Sequence, residues 1–318
     1  MNLSDSIGGY FGLEMQIAEN YYSDLIAVNT GRNALEYILK ARGCKHIYIP
    51  YYTCDVILEP IQRLHISYEF YKIDEQLELQ TLNGINQDSF FLLNNYFGLK
   101  TKYVEGMARM LPNVIVDSSQ AFFDRPIKGV DTFYSPRKFF GLPDGGYVSC
   151  DLILNENLEN DYSGDRIAHL IGRIDRSAEE SYVDFKMDEF VLRNQSIKKI
   201  SKFTNALLKS IDYQNCLRKR NENFSYLHSR LKDKNDFKWF DDISLNGPMA
   251  YPFYSEDKML RKKLTAHKIY VPIYWPNVFE WADNNGIEYQ LCENLFALPI
   301  DQRYGPAEME TIINIILG

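Results

Sequence analysis

With 318 residues, 45% of them hydrophobic and 25% charged, the chain is long enough for one large domain and a smaller one, and collagen-like, disordered and disulfide-scaffold classes are excluded. Its net charge of -8 is spread along the sequence and offers no basic face for nucleic acid. No apolar run approaches the ~20 residues of a membrane span.

The start, MNLSDSIGGYFGLEM, has no basic region and no apolar core, so no signal peptide is expected and a cytoplasmic location is. Leu25–Val28 is a short apolar run, and Asn33–Ala41 has helical spacing. His46–Ile49 reads as a strand, Val56–Leu64 as a helix and Ser67–Phe70 as a strand. Phe90–Leu93 and Val114–Val116 are buried-strand candidates, with a helix over Lys102–Met110 between them. This β-α-β-α rhythm predicts an α/β fold with a mixed, mostly parallel sheet. Asp131–Tyr134 and Tyr147–Leu152 read as strands joined by a Gly/Pro/Asp-rich loop. From about residue 165 to 231 come charged helices, read as solvated faces. A smaller α+β pattern follows: strands at Tyr251–Tyr254, Tyr270–Ile273 and Leu295–Pro299, helices at Asp257–Ala266 and Pro306–Leu317. The expected division is a large domain over 1–210, including the helical connection, and a small C-terminal domain over 211–318.

In open α/β sheets ligands sit beyond the carboxyl ends of strands. After the first strand, Asn29-Thr30-Gly31-Arg32-Asn33 opens a helix. Its amides offer a phosphate cradle, although an ordinary helix cap has the same pattern. After Val116 comes Asp117-Ser118-Ser119-Gln120. A carboxylate there favours protonation of a ring nitrogen and Gln120 can reach a ring substituent; a turn-capping Asp is the plainer alternative. After Phe133 comes Ser135-Pro136-Arg137-Lys138-Phe139-Phe140, then Gly145-Gly146. The apolar neighbours predict a partly buried Lys138, whose desolvated amine would react with carbonyls. Ser135 and Arg137 could bind an anion beside it.

In this order the three sites resemble those of the DegT-type sugar aminotransferase family, enzymes of the aspartate-aminotransferase fold that use pyridoxal 5'-phosphate (PLP). The resemblance covers most of the chain and is strongest from Val28 to Val148. It implies that Gly31, Arg32 and Asn33 form the phosphate turn, with Ser135 also on the phosphate. Asp117 would face the pyridine nitrogen, Gln120 the ring hydroxyl, and Lys138 would carry the cofactor. Pro50-Tyr51-Tyr52-Thr53-Cys54 resembles the loop over the ring, with Cys54 where an aromatic often stacks and Tyr51 or Tyr52 as substitutes. Asn95-Tyr96-Phe97-Gly98 resembles the strand end beneath the cofactor. Three departures stand out. Phe133 occupies a usual serine position, the Gly-Asn-Tyr-Arg segment is absent after residue 160, and the chain is short for the family.

The resemblance implies a homodimeric aminotransferase that moves an amino group from an amino acid, by analogy glutamate, to a keto sugar carried on a nucleotide, in polysaccharide or deoxysugar biosynthesis. A PLP enzyme with other sugar chemistry and a degenerate binding or regulatory protein are the alternatives. The first is disfavoured by Lys138, since related sugar dehydratases carry histidine there; the second by the intact Asp117–Lys138 pair. Trp275, in Val-Pro-Ile-Tyr-Trp-Pro, reads as small-domain packing, with a substrate-pocket role as the alternative. The five histidines show no metal-ligand spacing and the five cysteines no C-x-x-C pair, so no metal is expected and the thiols are expected to be reduced.

Overall fold

The computed structural model describes residues 9–16, 18–80, 84–237 and 243–318; most of the segment read for a signal peptide, residues 1–8, lies outside the described residues.

The first unit alternates strands and helices. They are β1 (Ile26–Val28), α1 (Gly31–Arg42), β2 (His46–Pro50), α2 (Leu58–Arg63), β3 (Ser67–Tyr71), β4 (Phe90–Asn94), α3 (Thr101–Met110), β5 (Val114–Asp117), β6 (Asp131–Tyr134) and β7 (Gly146–Ser149). They build one seven-stranded sheet in the order β1-β7-β6-β5-β4-β2-β3. Pairing is parallel from β3 through β6; β7 runs antiparallel to both β6 and β1.

The central strands are apolar on both faces because both are covered. Leu92, Ile115 and Phe133 point into one core with Leu35 and Ile38 of α1. Their neighbours Leu93, Val116 and Tyr134 point into a second core shared with the C-terminal residues. The start of α1 is fixed by Thr30, whose hydroxyl accepts from the Asn33 amide at 3.1 Å.

Four helices follow: α4 (Ala168–Asp175), α5 (Tyr182–Val191), α6 (Lys202–Lys209) and α7 (Tyr213–Leu231). The expectation that charge here is simply solvated holds only in part. Arg218 and Glu222 pair on an exposed face, but Arg166, His169, Asp188 and Arg220 are buried. Arg166 pairs with Asp161 at 2.7 Å and His169 with Asp188 at 2.5 Å, as burial of polar groups demands.

The C-terminal residues form β8 (Ala250–Tyr254), α8 (Leu260–Ala266), α9 (Val278–Trp281), α10 (Ile287–Asn294), β9 (Leu295–Pro299) and α11 (Pro306–Leu317). β8 and β9 pair antiparallel as a two-stranded sheet, with α7 packed against α11 and β8. The strand expected at Tyr270–Ile273 does not form. Pro272 has no N–H for a ladder, and the Val271 carbonyl accepts instead from the Arg261 side chain at 2.6 Å. Similarly, β7 stops at Ser149, short of Leu152, near where its partner β6 begins.

Two buried carboxylates carry a pH signature. Asp144 accepts the amide and hydroxyl of Ser201, each at 3.0 Å, at the start of α6, and also contacts the Thr204 hydroxyl. Asp124 accepts from Asn95, Asn246 and Thr101. Burial is the largest influence and raises the pKa of both despite these bonds. A carboxyl held higher in the folded than in the unfolded chain favours folding below the unfolded value of about 3.9 and loses that contribution as pH rises through the folded value. Asp144→Asn should therefore flatten the fall in stability above that pH, read as the urea midpoint against pH.

Candidate active site

The carboxyl ends of β1, β5 and β6 lead into the three turns singled out in the sequence. At the first, Asn29 is fully buried and ties the turn to residues 196–198. Its amide nitrogen donates to the Ser196 carbonyl at 3.0 Å, and its Oδ1 accepts from Asn33 at 2.7 Å and from the Lys198 amide at 3.2 Å. The Asn33 side chain also donates to the Ser196 carbonyl, at 2.9 Å, so it serves to hold the turn. Arg32 pairs with Glu59 at 2.9 Å, which directs its guanidinium away from an anion-binding task. What the turn offers an anion is the positive end of the α1 dipole.

Ser135 lies against this turn. A Cβ placed on Gly31 would sit 3.1 Å from the Ser135 Cβ and 3.5 Å from its hydroxyl oxygen. Only glycine leaves this recess open, and a hydroxyl lines it. Behind it, Gly145 donates its amide to the Asn29 carbonyl at 2.5 Å with φ of +123°, a backbone state that suits glycine. A Cβ on Gly146 would come within 2.4 Å of the Thr30 carbonyl oxygen. The loop that carries Lys138 is thus locked by backbone contact to the turn that opens α1.

Asp117 ends β5 beside Asn94 of β4. It is buried, and its Oδ1 accepts from the Ser119 amide at 2.8 Å. The Lys138 amine donates to the Ser119 hydroxyl at 2.9 Å. Ser119 therefore links the carboxylate's turn to the lysine. The sequence reading quoted this serine without giving it a task, because nothing local to it signals a contact nineteen residues away.

Lys138 itself corrects an expectation. Its neighbours Phe139 and Phe140 turn into the core, while the 3-10 turn at Pro136–Lys138 projects the lysine outward, and the residue is exposed. Its apolar neighbours occupy the other side of the turn, in the core. Arg137 pairs with Glu189 of α5.

The remaining residues of the expected site divide. Cys54 sits close enough to Lys138 for the ammonium to act on its thiol, although burial dominates and pushes the thiol up to about 11. Gln120 is buried, and its Oε1 accepts from the Phe97 amide at 2.7 Å. Tyr51 stacks on Phe70 with ring centres 4.7 Å apart. Tyr52 is fully buried and meets Trp275 edge-on at 5.1 Å. Asn277 donates to the Thr53 carbonyl at 2.9 Å, so this loop is stitched to the C-terminal residues. Trp275 is seated as packing.

Chains of known structure share this fold. DesV of S. venezuelae superposes with a TM-score of 0.63 at 16% identity, covering 92% of this chain and 83% of its own. A DegT DnrJ EryC1 StrS aminotransferase from Brucella abortus gives 0.58 at 15% identity, covering 92% and 85%. The candidate sugar aminotransferase Spr1654 of Streptococcus pneumoniae, in its PLP form, gives 0.60 at 13% identity, covering 91% and 85%. The chain has the fold of the PLP-dependent aminotransferases. At these identities the likeness is one of fold. No family profile and no curated protein matches the sequence.

The residues present fit the cofactor that this fold implies. The Gly31 recess with the Ser135 hydroxyl suits a phosphate, Asp117 suits a protonated ring nitrogen, and the exposed Lys138 amine is free to reach a carbonyl carbon. An anion recess, a buried carboxylate and a primary amine are the three polar features such a molecule needs.

Proposed function

We propose that this chain is a PLP-dependent aminotransferase that transfers an amino group from an amino acid to a keto sugar. The observations that carry the reading are two contacts beyond the carboxyl ends of β1, β5 and β6: Gly31 lies against Ser135, and Ser119 links Asp117 to Lys138. When bound, PLP supplies an electron sink for the carbanion formed beside the amino group. The start of α1 at Gly31 and the Ser135 hydroxyl would hold the phosphate and so fix orientation. Asp117 holds a proton on the ring nitrogen by opposite charge. Lys138 Nζ would take the proton from the donor's α-carbon in the first half-reaction and deliver one to the acceptor's carbonyl carbon in the second. Ping-pong kinetics follow from two half-reactions on one site.

The purified protein should turn yellow with PLP, and borohydride should fix the cofactor on the Lys138 peptide. A protein that stays colourless would overturn the reading in favour of a binding protein. Yellow protein that never exchanges with an amino donor would point to other sugar chemistry. Glutamate as donor, a nucleotide-linked sugar as acceptor and cytoplasmic work in polysaccharide or deoxysugar synthesis are part of the proposal, on the family resemblance. A screen of keto nucleotide sugars tests the acceptor.

A homodimer is also proposed. α4 and α5 present Ile174, Val183, Met187 and Phe190 to solvent, from 62% to 85% exposed, and exposed apolar patches of this kind mark contact surfaces. The pair packs beside the lysine loop, through Leu170 against Gly141 and Glu189 with Arg137. Phe190→Asp should shift the protein from dimer to monomer in light scattering; wild-type protein that is monomeric would overturn the dimer.

A further inference from the structure

Lys138 is exposed, so side-chain packing does little to aim its amine. Its direction depends on the 3-10 turn it ends and on the hydroxyl it touches. The backbone just past the turn is held from elsewhere. The Phe139 carbonyl accepts from Arg220 Nη2 at 3.2 Å and from Gln302 Nε2 at 2.8 Å. The two side chains brace each other, Arg220 Nε donating to Gln302 Oε1 at 3.0 Å. The guanidinium also lies 4.5 Å from the Phe139 ring centre.

Arg220 is 1% exposed, in the middle of α7. Burying an arginine is costly unless its donors are used. Here they are directed at backbone carbonyls: Nη1 reaches Pro248 at 3.1 Å and Met249 at 3.2 Å. From there a hydrogen-bonded path returns to the site. The Met249 amide donates to the Phe97 carbonyl at 2.9 Å, and the Phe97 amide donates to Gln120 Oε1 at 2.7 Å. Gln120 adjoins Ser119, whose hydroxyl accepts from the Lys138 amine. The residues around Arg220 therefore hold the lysine's backbone on one side and its hydroxyl partner on the other.

We propose that Arg220 and Gln302 are positioning residues, which hold the Lys138 turn through the Phe139 carbonyl and tie the aim of the amine to the C-terminal residues. The proposal rests on the reading of Lys138 as the cofactor lysine. It makes the placement of β8 and of the Ile300–Gln302 segment a determinant of catalytic rate, although neither carries a reacting group.

Gln302 is only half-buried, so its substitution is the usable test. Gln302→Leu removes both bonds. Gln302→Glu keeps an acceptor for Arg220 and removes the donor to Phe139, so it separates bracing of the arginine from holding of the turn. Two readouts apply. In cofactor-free protein, trace acetic anhydride labelling across pH reports the reactivity of Lys138 against the exposed Lys45. Both variants should shift this ratio by ~3-fold or more at an unchanged Tm, because reactivity follows the amine's surroundings. In holoenzyme, kcat should fall by roughly tenfold with KM for the donor unchanged, as expected for a misplaced reacting group. An unchanged ratio and kcat in both variants overturns the proposal. So does a loss of kcat that tracks a lowered Tm while the ratio stays fixed, since that marks a purely structural bond. If wild-type protein binds no PLP, the functional reading fails, and the labelling ratio still decides whether Gln302 governs Lys138.

Discussion

Lys138→Ala should lower transamination by roughly 100- to 10,000-fold, the range expected when a positioned acid–base group is removed. The same variant should lose borohydride fixation of the cofactor. Its thermal midpoint should stay close to that of the wild type, because the side chain is exposed and its bond to the Ser119 hydroxyl is only part-buried. Activity of Lys138→Ala equal to wild type would sink the assignment. Added methylamine should restore part of the rate if the missing element is the amine itself. The comparison of stability with rate matters, since it distinguishes a lost reacting group from a collapsed loop.

The second large effect is expected at a residue with no side chain. Gly146→Ala places a Cβ 2.4 Å from the Thr30 carbonyl oxygen, 2.5 Å from its carbon and 2.9 Å from the Gly31 nitrogen. All three are backbone atoms, so no rotamer change relieves the clash. Overpacking of this kind costs about 1–3 kcal/mol. The strain falls on the Gly31 turn and on β7, which pairs with β1 at Val28↔Gly146. Both Tm and affinity for PLP should therefore drop, and affinity for inorganic phosphate should drop with them. An alanine variant that keeps full PLP affinity would show that the turn is not the phosphate cradle.

Much of the fold is legible in the sequence because buried strands and amphipathic helices are local patterns. The apolar runs at Phe90–Asn94 and Val114–Asp117 and the helical spacing after Gly31 have no other stable use. The order of the three turns is legible for the same reason: each follows a strand. The partners are not. Arg32 in the turn and Arg137 beside the lysine pair with Glu59 and Glu189, which are distant along the chain. Arg220 looks like one more charge on a polar helix, and its burial depends on α7 being covered by residues 248–249 and 302. Lys138 was expected in an apolar setting from its neighbours, yet a 3-10 turn sends adjacent side chains to different sides. Tertiary pairing decided each of these cases, and no window along one chain contains it.

The antiparallel position of β7 between β6 and β1 also sets an order of events. β1 joins the sheet only through β7, a partner some 120 residues later. Contacts of such long sequence separation form slowly, since the closure entropy of the loop comes first. The Gly31 recess is therefore expected to form late in refolding, after the parallel core of β2, β4 and β5. Phosphate affinity should recover with the slow phase, later than the helical signal, which would make ligand binding a reporter of completed folding in this chain.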